Sequence, residues 1–341
     1  MKTTYSYDDV LIEPQYSSIR SRSNIDITSN LGHGLSLGLP IIASPMDTVS
    51  ETTMATATNS YGACAVIHRY NTIEDQVRMV KDARAYADSV TAGGAIGVSD
   101  DMETRACALH DAGATFLCVD VAHGHHVLMR EALQTLRGIF GRNYHIMAGN
   151  VATLEGINDL ADWGASSVRV GVGGGSICST RVQTGHGVPT LQSIMDCSKT
   201  DRDVAIIADG GIKNSGDIVK ALAAGADAVI CGSLFAGTVE TPGDMFKDPD
   251  GFTWKSYRGM ASKEAQIDWR GMYSSFEGVA TRVPTKGSVC NILLDLEKGI
   301  RSGLSYTGAR SIKEFQAKAN FIMQTTSGLS ESRAHIKIRD W

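Results

Sequence analysis

No run of about eighteen consecutive apolar residues, the length that a transmembrane helix needs, occurs in the 341-residue sequence. The first residues, MKTTYSYDDVLIEP, also lack the apolar core of a secretory signal peptide. An excess of basic residues is missing as well, since the formal net charge is −5. The sequence therefore predicts neither a membrane partner nor a nucleic-acid partner.

Cysteine pairs of the CxxC type are absent, and the number of cysteines, seven, is odd. This usage argues against a disulfide framework or a structural zinc site and favours reduced thiols in a cytoplasmic enzyme. Low-complexity tracts and linkers are also missing, while 43% of the residues are apolar. We therefore predict one catalytic domain with a large core, covering residues 1–341.

What the sequence does contain is an alternation of short apolar runs and segments with helical spacing. Eight runs have the composition of buried strands, at 41–44, 65–68, 95–98, 116–121, 145–149, 168–172, 205–209 and 228–232. Helical spacing lies between them at 72–89, 101–111, 127–140, 154–163 and 214–224. Eight such units predict an α/β fold, the (β/α)8 TIM barrel. A doubly wound open sheet is the alternative, but no G-x-G-x-x-G follows the first run.

Three junctions place a Gly-Ala pair between a helical segment and the next apolar run. They read AGATFLCVD (112–120), WGASSVRVG (163–171) and AGADAVICG (224–232). Glycine is typical of helix C-caps, and a continuous apolar run is typical of a buried parallel strand. The repeat therefore supports the barrel.

Glycines follow the last two predicted strands, in DGGIKNSGD (209–217) and CGSL (231–234). In TIM barrels the loops after strands seven and eight often bind phosphate at the C-terminal face. We expect a phosphorylated ligand there. The alternative is that these glycines only form turns.

The loop after the sixth predicted strand, 171–189, has four glycines within its first five positions, followed by Ser176, Cys178 and Thr180. Glycines let the backbone approach a ligand closely and expose N–H dipoles that can stabilise a thiolate. Cys178 is therefore a candidate nucleophile. The alternative is a tight turn with a buried, inert cysteine.

The segment 252–285 departs from the strand–helix rhythm. A loop of this length after the last strand is usually an active-site lid that excludes water. We expect a flap here, with a plain surface excursion as the alternative.

Several motifs together resemble the family of IMP dehydrogenases and GMP reductases: YDDVLIEPQ, SPMDTV, GNVAT, GGGSICSTR, ADGGI, CGSLFAG and YRGM. The resemblance covers nearly the whole chain. It implies a barrel enzyme that acts on GMP or IMP with a nicotinamide cofactor. Most dehydrogenases of the family insert a pair of CBS modules, but here Arg69 and Val98 are under 30 residues apart, so that insertion is absent.

Within the family, CSTRVQTG (178–185) and the 16 residues between Met260 and Glu277 are similar to GMP reductases. Dehydrogenases have a longer flap with a water-activating Arg-Tyr pair, and Trp269-Arg270-Gly271 stands in this flap instead. The stretches SPMDTVSE (44–51) and GLSESRAHI (328–336) are more similar to dehydrogenases, and Tyr273-Ser274-Ser275 replaces a reductase arginine.

The flap and the cysteine loop are the segments expected to contact the reacting atoms. Because both are similar to GMP reductases, we predict a GMP reductase. The first alternative is an IMP dehydrogenase without CBS modules, which oxidises IMP to XMP with NAD. Two others come from different classes: a non-catalytic purine-nucleotide sensor, and a phosphate-binding barrel lyase or isomerase. Neither of these needs Cys178, Thr180 and Glu277 together.

The resemblance implies that NADPH reduces GMP to IMP and ammonia through a covalent thioimidate on Cys178, with Thr180 and Glu277 as a proton-handling dyad. The alternative for Glu277 is an exposed loop carboxylate, and for Asp209, the implied ligand of the ribose diol, a turn cap. The implied substrate-binding residues are Ser44, Met46, Ser176, Asp209, Gly211, Gly232, Ser233, Tyr257, Gly259 and Met260.

Asp120, Asn150 and Arg169 are expected near the nicotinamide, with a structural ion pair as the alternative for Arg169. Carbonyls near Gly173, Gly175 and Cys178 are the implied site of a monovalent cation such as K⁺. His123, His125 and His126 lack the cysteine or carboxylate neighbours of a zinc site. A homotetramer is expected.

Overall fold

A computed structural model describes residues 2–87, 89–99, 101–274 and 276–332. Its strands are β1 (Val10–Ile12), β2 (Ser29–Gly32), β3 (Leu35–Leu37), β4 (Ile41–Ala43), β5 (Cys64–Ile67), β6 (Ala92–Ile96), β7 (Phe116–Asp120), β8 (His145–Val151), β9 (Ser167–Val170), β10 (Ala205–Asp209), β11 (Ala228–Cys231), β12 (Phe246–Lys247), β13 (Thr253–Arg258), β14 (Ala280–Pro284) and β15 (Phe321–Met323). Its helices are α1 (Thr52–Asn59), α2 (Ile73–Tyr86), α3 (Met102–Asp111), α4 (Val127–Phe140), α5 (Leu154–Asp162), α6 (Thr180–Thr184), α7 (Thr190–Cys197), α8 (Ser215–Ala223), α9 (Lys263–Arg270), α10 (Val289–Ser305), α11 (Ile312–Lys318) and α12 (Thr326–Glu331).

The strands β4 to β11 pair in chain order and close into a parallel barrel, with β11 returning to β4. In the closing pair, Val229 lies opposite Ile41 and Ile230 opposite Ile42. Each of the eight predicted strands overlaps one barrel strand. The predicted (β/α)8 TIM barrel is therefore confirmed, and the open-sheet alternative is wrong.

The third barrel strand lies earlier in the chain than predicted, because β6 begins at Ala92 and includes Gly93 and Gly94. A Cβ atom on Gly93 would lie 2.3 Å from Cζ of Phe116, whose ring fills the barrel interior. Glycine is needed in this strand to make room for an aromatic neighbour. A pattern that counts glycines as strand breakers consequently starts the strand too late.

The helix ends follow the sequence signals. The three glycines of the Gly-Ala junctions, Gly113, Gly164 and Gly225, have φ angles of +91°, +116° and +112°. This left-handed region ends a helix at little cost only for glycine. At the other end, the Thr72 and Asn214 side chains accept N-capping hydrogen bonds at α2 and α8. The helices consequently stop where each strand must begin.

The hairpin β2–β3 closes the N-terminal mouth of the barrel. Its Leu31, Leu35 and Leu37 are buried in one cluster with the residues that fill the barrel interior. The Gly32 carbonyl lies 3.0 Å from Nδ1 of His145, at the start of β8. Burial lowers the pKa of His145 to about 4, so this ring is neutral in the core. Among the described residues, this end is plugged and the cavity opens at the C-terminal mouth.

The flap segment 252–285 contains two strands and a helix, so the prediction that it is a loop is wrong. Its strands β13 and β14 pair in an antiparallel sheet, to which β12 adds a third strand from just before the segment, and α9 lies between β13 and β14 in the chain. Tyr257 pairs with Thr281 and Trp254 with Pro284. All five β14 side chains are exposed or half-buried, so no apolar alternation marks this strand in the sequence.

None of the helices in the described part of the chain combines the length and the apolar composition that a membrane-spanning helix needs.

Candidate active site

A cavity of about 330 Å³ opens at the C-terminal mouth of the barrel, between the strand-end loops and the flap. Every residue to which the sequence analysis assigned a catalytic or binding role lines it. They are Ser44, Met46, Asp120, Asn150, Arg169, Gly173, Gly175, Ser176, Cys178, Thr180, Asp209, Gly211, Gly232, Ser233, Tyr257, Gly259, Met260 and Glu277. The fold thus brings together residues that are distant in the sequence.

The cysteine loop crosses the barrel mouth very close to the end of β10. A Cβ atom on Gly171, which has φ +149°, would lie 1.9 Å from the Asp209 carbonyl oxygen, so no other residue fits. Beyond the glycines, the Gly175 carbonyl accepts a hydrogen bond of 3.1 Å from the Cys178 N–H. The turn leaves Cys178 exposed at the cavity. The alternative of a buried cysteine is therefore wrong.

A series of hydrogen bonds runs from the cysteine into the flap. The Cys178 thiol donates to Oγ1 of Thr180 over 3.1 Å. The Thr180 hydroxyl in turn donates to Oε2 of Glu277 over 2.8 Å. Thiol, hydroxyl and carboxylate thus form a continuous path along which a proton can pass between sulfur and the flap carboxylate.

Backbone hydrogen bonds fasten the flap to the cysteine loop on both sides of Glu277. The Ser179 N–H donates to the Glu277 carbonyl over 2.8 Å, and the Val279 N–H donates to the Ile177 carbonyl over 2.9 Å. Gly278 lies opposite Cys178 in this short antiparallel pairing. The register of the pairing, rather than the Glu277 side chain itself, sets the carboxylate beside Thr180.

A buried arginine joins two carboxylates at the base of the cavity. The Arg169 guanidinium donates to Asp120 and, over 2.7 Å and 3.0 Å, to Asp209. The Asn150 amide donates to the same Asp209 carboxylate over 2.8 Å. Burial alone lowers the pKa of Arg169, but the two carboxylates outweigh it and hold this pKa well above its ordinary value. The geometry therefore favours the ion-pair alternative for Arg169.

We expect Arg169→Met to lower the free energy of unfolding by about 3–5 kcal/mol, because it leaves two carboxylates without their cation inside the barrel. The matched control is Arg202→Met. Arg202 also contacts two carboxylates, but its side chain is 39% exposed against 7% for Arg169. The control should cost less than about 1 kcal/mol. Urea unfolding measures both, and equal losses would contradict a buried ion-pair role.

Another part of the cavity is lined by small and hydroxyl-bearing residues. The Ser176 and Tyr257 hydroxyls lie 3.4 Å apart, beside Gly211, Gly232 and Ser233. Burial raises the pKa of Tyr257, so its hydroxyl keeps its proton at neutral pH and can donate to an anion. A Cβ atom on Gly232 would lie 3.2 Å from this hydroxyl, which explains the glycine there.

The turn at 173–178 offers backbone carbonyls for a monovalent cation, but only part of a coordination shell. The Gly175 carbonyl already accepts the Cys178 N–H. The Arg181 guanidinium donates to the carbonyls of Val172 and Val188, and a Cβ atom on Gly173 would lie 2.6 Å from the Arg181 side chain. A K⁺ site at Gly173, Gly175 and Cys178 stays a prediction.

The histidines after β7 have other partners. Nε2 of His125 lies 2.8 Å from Asp159, and the His126 ring accepts the N–H that caps α4. Burial and the neighbouring histidines lower the pKa of His123. Within the described ranges, no group of three or more His, Cys, Asp or Glu side chains is arranged to hold a metal ion.

Two flap residues that bear on the choice of activity lie away from the cysteine. Neither Arg270 nor Tyr273 is among the described residues that line the cavity with Cys178. Nζ of Lys263 instead lies 4.6 Å from the centre of the Tyr273 ring. Ser275, and residues 333–336 of the dehydrogenase-like stretch GLSESRAHI, lie outside the described residues.

Sequence reasoning gave no role to Arg69 and Tyr70, which also line the cavity. The Arg69 guanidinium donates to the Asp120 carbonyl over 3.3 Å. The available signal was position alone, because both residues follow the second barrel strand at the face that carries barrel active sites.

Comparison with known proteins places this site in a family. The family model described as "IMP dehydrogenase / GMP reductase domain" matches residues 4–335. Inosine-5'-monophosphate dehydrogenase of Nitrosopumilus maritimus is 33% identical over 472 positions, covering 98% of both proteins. GMP reductase of Leishmania major is 32% identical, covering 97% of this chain and 96% of its own length. Inosine-5'-monophosphate dehydrogenase of Aquifex aeolicus is 44% identical over 77% of this chain, which is 56% of that protein.

Among solved structures, a cysteine-to-alanine variant of GMP reductase from Trypanosoma brucei, in complex with guanosine 5'-monophosphate, is 30% identical. It superposes with a TM-score of 0.93 over 99% of both chains. The chain therefore belongs to the IMP dehydrogenase / GMP reductase family, oxidoreductases of purine metabolism that use a nicotinamide cofactor.

Proposed function

We propose that this chain is a GMP reductase, which converts GMP, NADPH and protons into IMP, NADP⁺ and ammonium. The observation that carries the proposal is the path from the Cys178 thiol through the Thr180 hydroxyl to the Glu277 carboxylate, with steps of 3.1 Å and 2.8 Å. A thiol nucleophile must lose a proton, and a departing amine must gain one. One reversible path serves both needs. The nucleotide in the trypanosomal structure supports the choice of substrate.

In the first step, Cys178 passes its proton through Thr180 to Glu277, and the thiolate sulfur adds to C2 of the purine. The bond from C2 to the exocyclic nitrogen then breaks, and the nitrogen keeps the electron pair. It leaves as ammonia after receiving a proton through Thr180. The product on the enzyme is a thioimidate, with Sγ of Cys178 bonded to C2.

In the second step, C2 receives the hydride that a bound nicotinamide would supply. The bond between sulfur and C2 breaks with its electron pair on sulfur, so the Cys178 thiolate is regenerated and IMP is released. Asp120 and Asn150 would hold the cofactor in the cavity. Nε of Arg69 supports this fit, because it is buried without a hydrogen-bond partner in a side chain that reaches the Asp120 backbone.

The nucleotide would be held by the small and hydroxyl-bearing residues of the cavity. Ser176, Tyr257 and the backbone N–H groups of Gly211, Gly232 and Ser233 would surround the phosphate. Asp209 would accept hydrogen bonds from the ribose diol with the carboxylate oxygen that Arg169 and Asn150 leave free, since both donate to Oδ2. Holding phosphate and ribose fixes C2 beside sulfur, which removes most of the entropic cost of attack.

The position of the flap side chains supports a reductase over a dehydrogenase. A dehydrogenase must hydrolyse its covalent adduct and needs a base that activates water. Arg270 and Tyr273, which could replace the missing Arg-Tyr pair, are not among the described residues around Cys178. IMP dehydrogenase remains the second candidate because the Nitrosopumilus and Leishmania relatives, one of each activity, are equally similar, at 33% and 32% identity.

With GMP and NADPH, we expect NADPH to be consumed with IMP and ammonium formed in equal amounts. With IMP and NAD⁺, the same preparation should release little XMP, because the Arg-Tyr pair that activates water in dehydrogenases is missing from the 16 residues between Met260 and Glu277. Absorbance of the nicotinamide and chromatography of the nucleotides measure both reactions. Steady XMP release over many turnovers would make the chain a dehydrogenase.

A further inference from the structure

A lysine that follows the flap sheet contacts the turn after β11, the last barrel strand. Nζ of Lys286 donates to the carbonyls of Ser233 and Leu234 over 2.8 Å and 3.0 Å. Ser233 lines the candidate active site, whereas Lys286 is not among the described residues that line this cavity. The turn therefore connects the lysine to the cavity, and the lysine contacts the turn from outside.

The main chain around Lys286 is packed closely against the same turn. The Lys286 N–H donates to the Gly237 carbonyl over 2.7 Å. Gly237 has a φ angle of +86°, and a Cβ atom there would lie 2.4 Å from the Pro284 carbonyl oxygen, so glycine is required. These contacts belong to the backbone and do not depend on the Lys286 side chain. The ammonium group can therefore be removed while the packing is kept.

The ammonium group of Lys286 is half-buried and, in the described part of the chain, forms no ion pair with a carboxylate. Burial lowers the pKa of Lys286, and no neighbouring carboxylate opposes this effect. Lys255 on β13 differs, because Glu240 and Asp244 partly oppose the lowering of its pKa by burial. Charges taken out of water are ordinarily paired. Lys286 thus carries a charge that an anion beyond the turn can balance.

The shape of the turn explains how the charge reaches the cavity. Two later N–H groups of the turn donate to the Gly232 carbonyl over 2.9 Å and 3.0 Å, as in a single helical turn. In such a turn the carbonyls point one way and the first N–H groups point the other way. Lys286 binds the next two carbonyls, those of Ser233 and Leu234. Because hydrogen bonds in series polarise one another, the cation strengthens the N–H groups at the start of the turn.

We infer that Lys286 is a positioning residue for the nucleotide phosphate, which acts through the carbonyls of Ser233 and Leu234. It fixes the orientation of the turn and supplies positive charge behind it, without contacting the phosphate itself. The inference rests on the proposed function only in placing the phosphate beside Gly232 and Ser233. It concerns how tightly the phosphate is held and leaves the chemistry at C2 to other residues.

The direct test compares a ligand that has the phosphate with one that lacks it. Lys286→Met removes the charge and keeps most of the side-chain length. We expect it to weaken IMP binding about tenfold by calorimetry, the usual effect of losing a charge-assisted hydrogen bond, and to leave inosine binding unchanged. Lys286→Arg keeps the charge and should recover most of the affinity for IMP. Lys298→Met, at a 66% exposed lysine on α10, is the matched control and should alter neither affinity.

Steady-state kinetics separates this inference from the proposed reaction. In GMP reduction, Lys286→Met should raise the KM for GMP about tenfold and leave kcat and the KM for NADPH unchanged. An unchanged affinity for IMP, or a loss of kcat together with the rise in KM, would overturn the inference, the second by giving the lysine a general structural role. If GMP is not reduced but IMP binding responds as described, the reductase proposal fails and the role of Lys286 stands.

Discussion

Replacing Cys178 with alanine is expected to abolish GMP reduction while leaving GMP and IMP binding nearly unchanged. The sulfur forms and breaks the only bond between enzyme and purine, whereas the nucleotide is held through its phosphate and ribose by other residues. Turnover and equilibrium binding are measured on the same preparation. Cys290→Ala, at a half-buried thiol on α10, is the control and should keep full activity.

Alkylation gives an independent measure of the same thiol. Iodoacetamide should modify Cys178 first, because it is the exposed cysteine among the seven, and bound IMP should protect it. Burial raises the pKa of Cys118 and Cys197 to about 12, so their reactive thiolate is scarce at neutral pH. An alanine variant that turns over at a near-native rate would exclude the covalent mechanism.

The second large effect is expected at the proton path. Thr180→Ala or Glu277→Gln should slow ammonia release by about 10²–10⁴-fold, the range typical of general acid–base catalysis. Ammonia leaves only with a proton, and either change breaks the path between sulfur, Thr180 and the carboxylate. Hydride transfer between IMP and NADP⁺ should fall less, because that step moves no proton to or from nitrogen. Single-turnover kinetics resolves the two steps.

The double variant tests whether Thr180 and Glu277 act as one unit. Removing both should cost little more than removing either, since residues on one path lose their joint effect together. Glu264→Gln, an exposed carboxylate in the first turn of α9, is the matched control and should stay near native activity. Full GMP reduction by Glu277→Gln would show that this glutamate takes no part in proton transfer.

The barrel could be predicted because a parallel strand buried on both faces is a continuous apolar run, which local sequence reveals. The flap sheet could not be predicted, since all five β14 side chains are exposed or half-buried and show no alternation of apolar and polar residues. The predicted start of β6 was wrong for a different reason. Gly93 is required by the Phe116 ring across the barrel, and no local pattern contains that contact.

The candidate site could likewise be predicted only where local sequence carries the signal. The glycine-rich loop and the polar strand ends indicate where chemistry occurs, because glycine and strand direction are local properties. Thr180 and Glu277 stand 97 residues apart, so their contact depends on the fold, and only the family resemblance pointed to it.

The pairing between the flap and the cysteine loop has a consequence for how such a site can diverge. Main-chain atoms at 177–179 and 277–279 make its hydrogen bonds, so they depend little on which side chains occupy those positions. Insertions or deletions between the end of α9 and Glu277 can therefore alter what the flap presents to a bound cofactor while the carboxylate keeps its register. Related proteins can therefore differ in the cofactor contacts that this segment makes and still keep the Glu277 carboxylate beside Thr180.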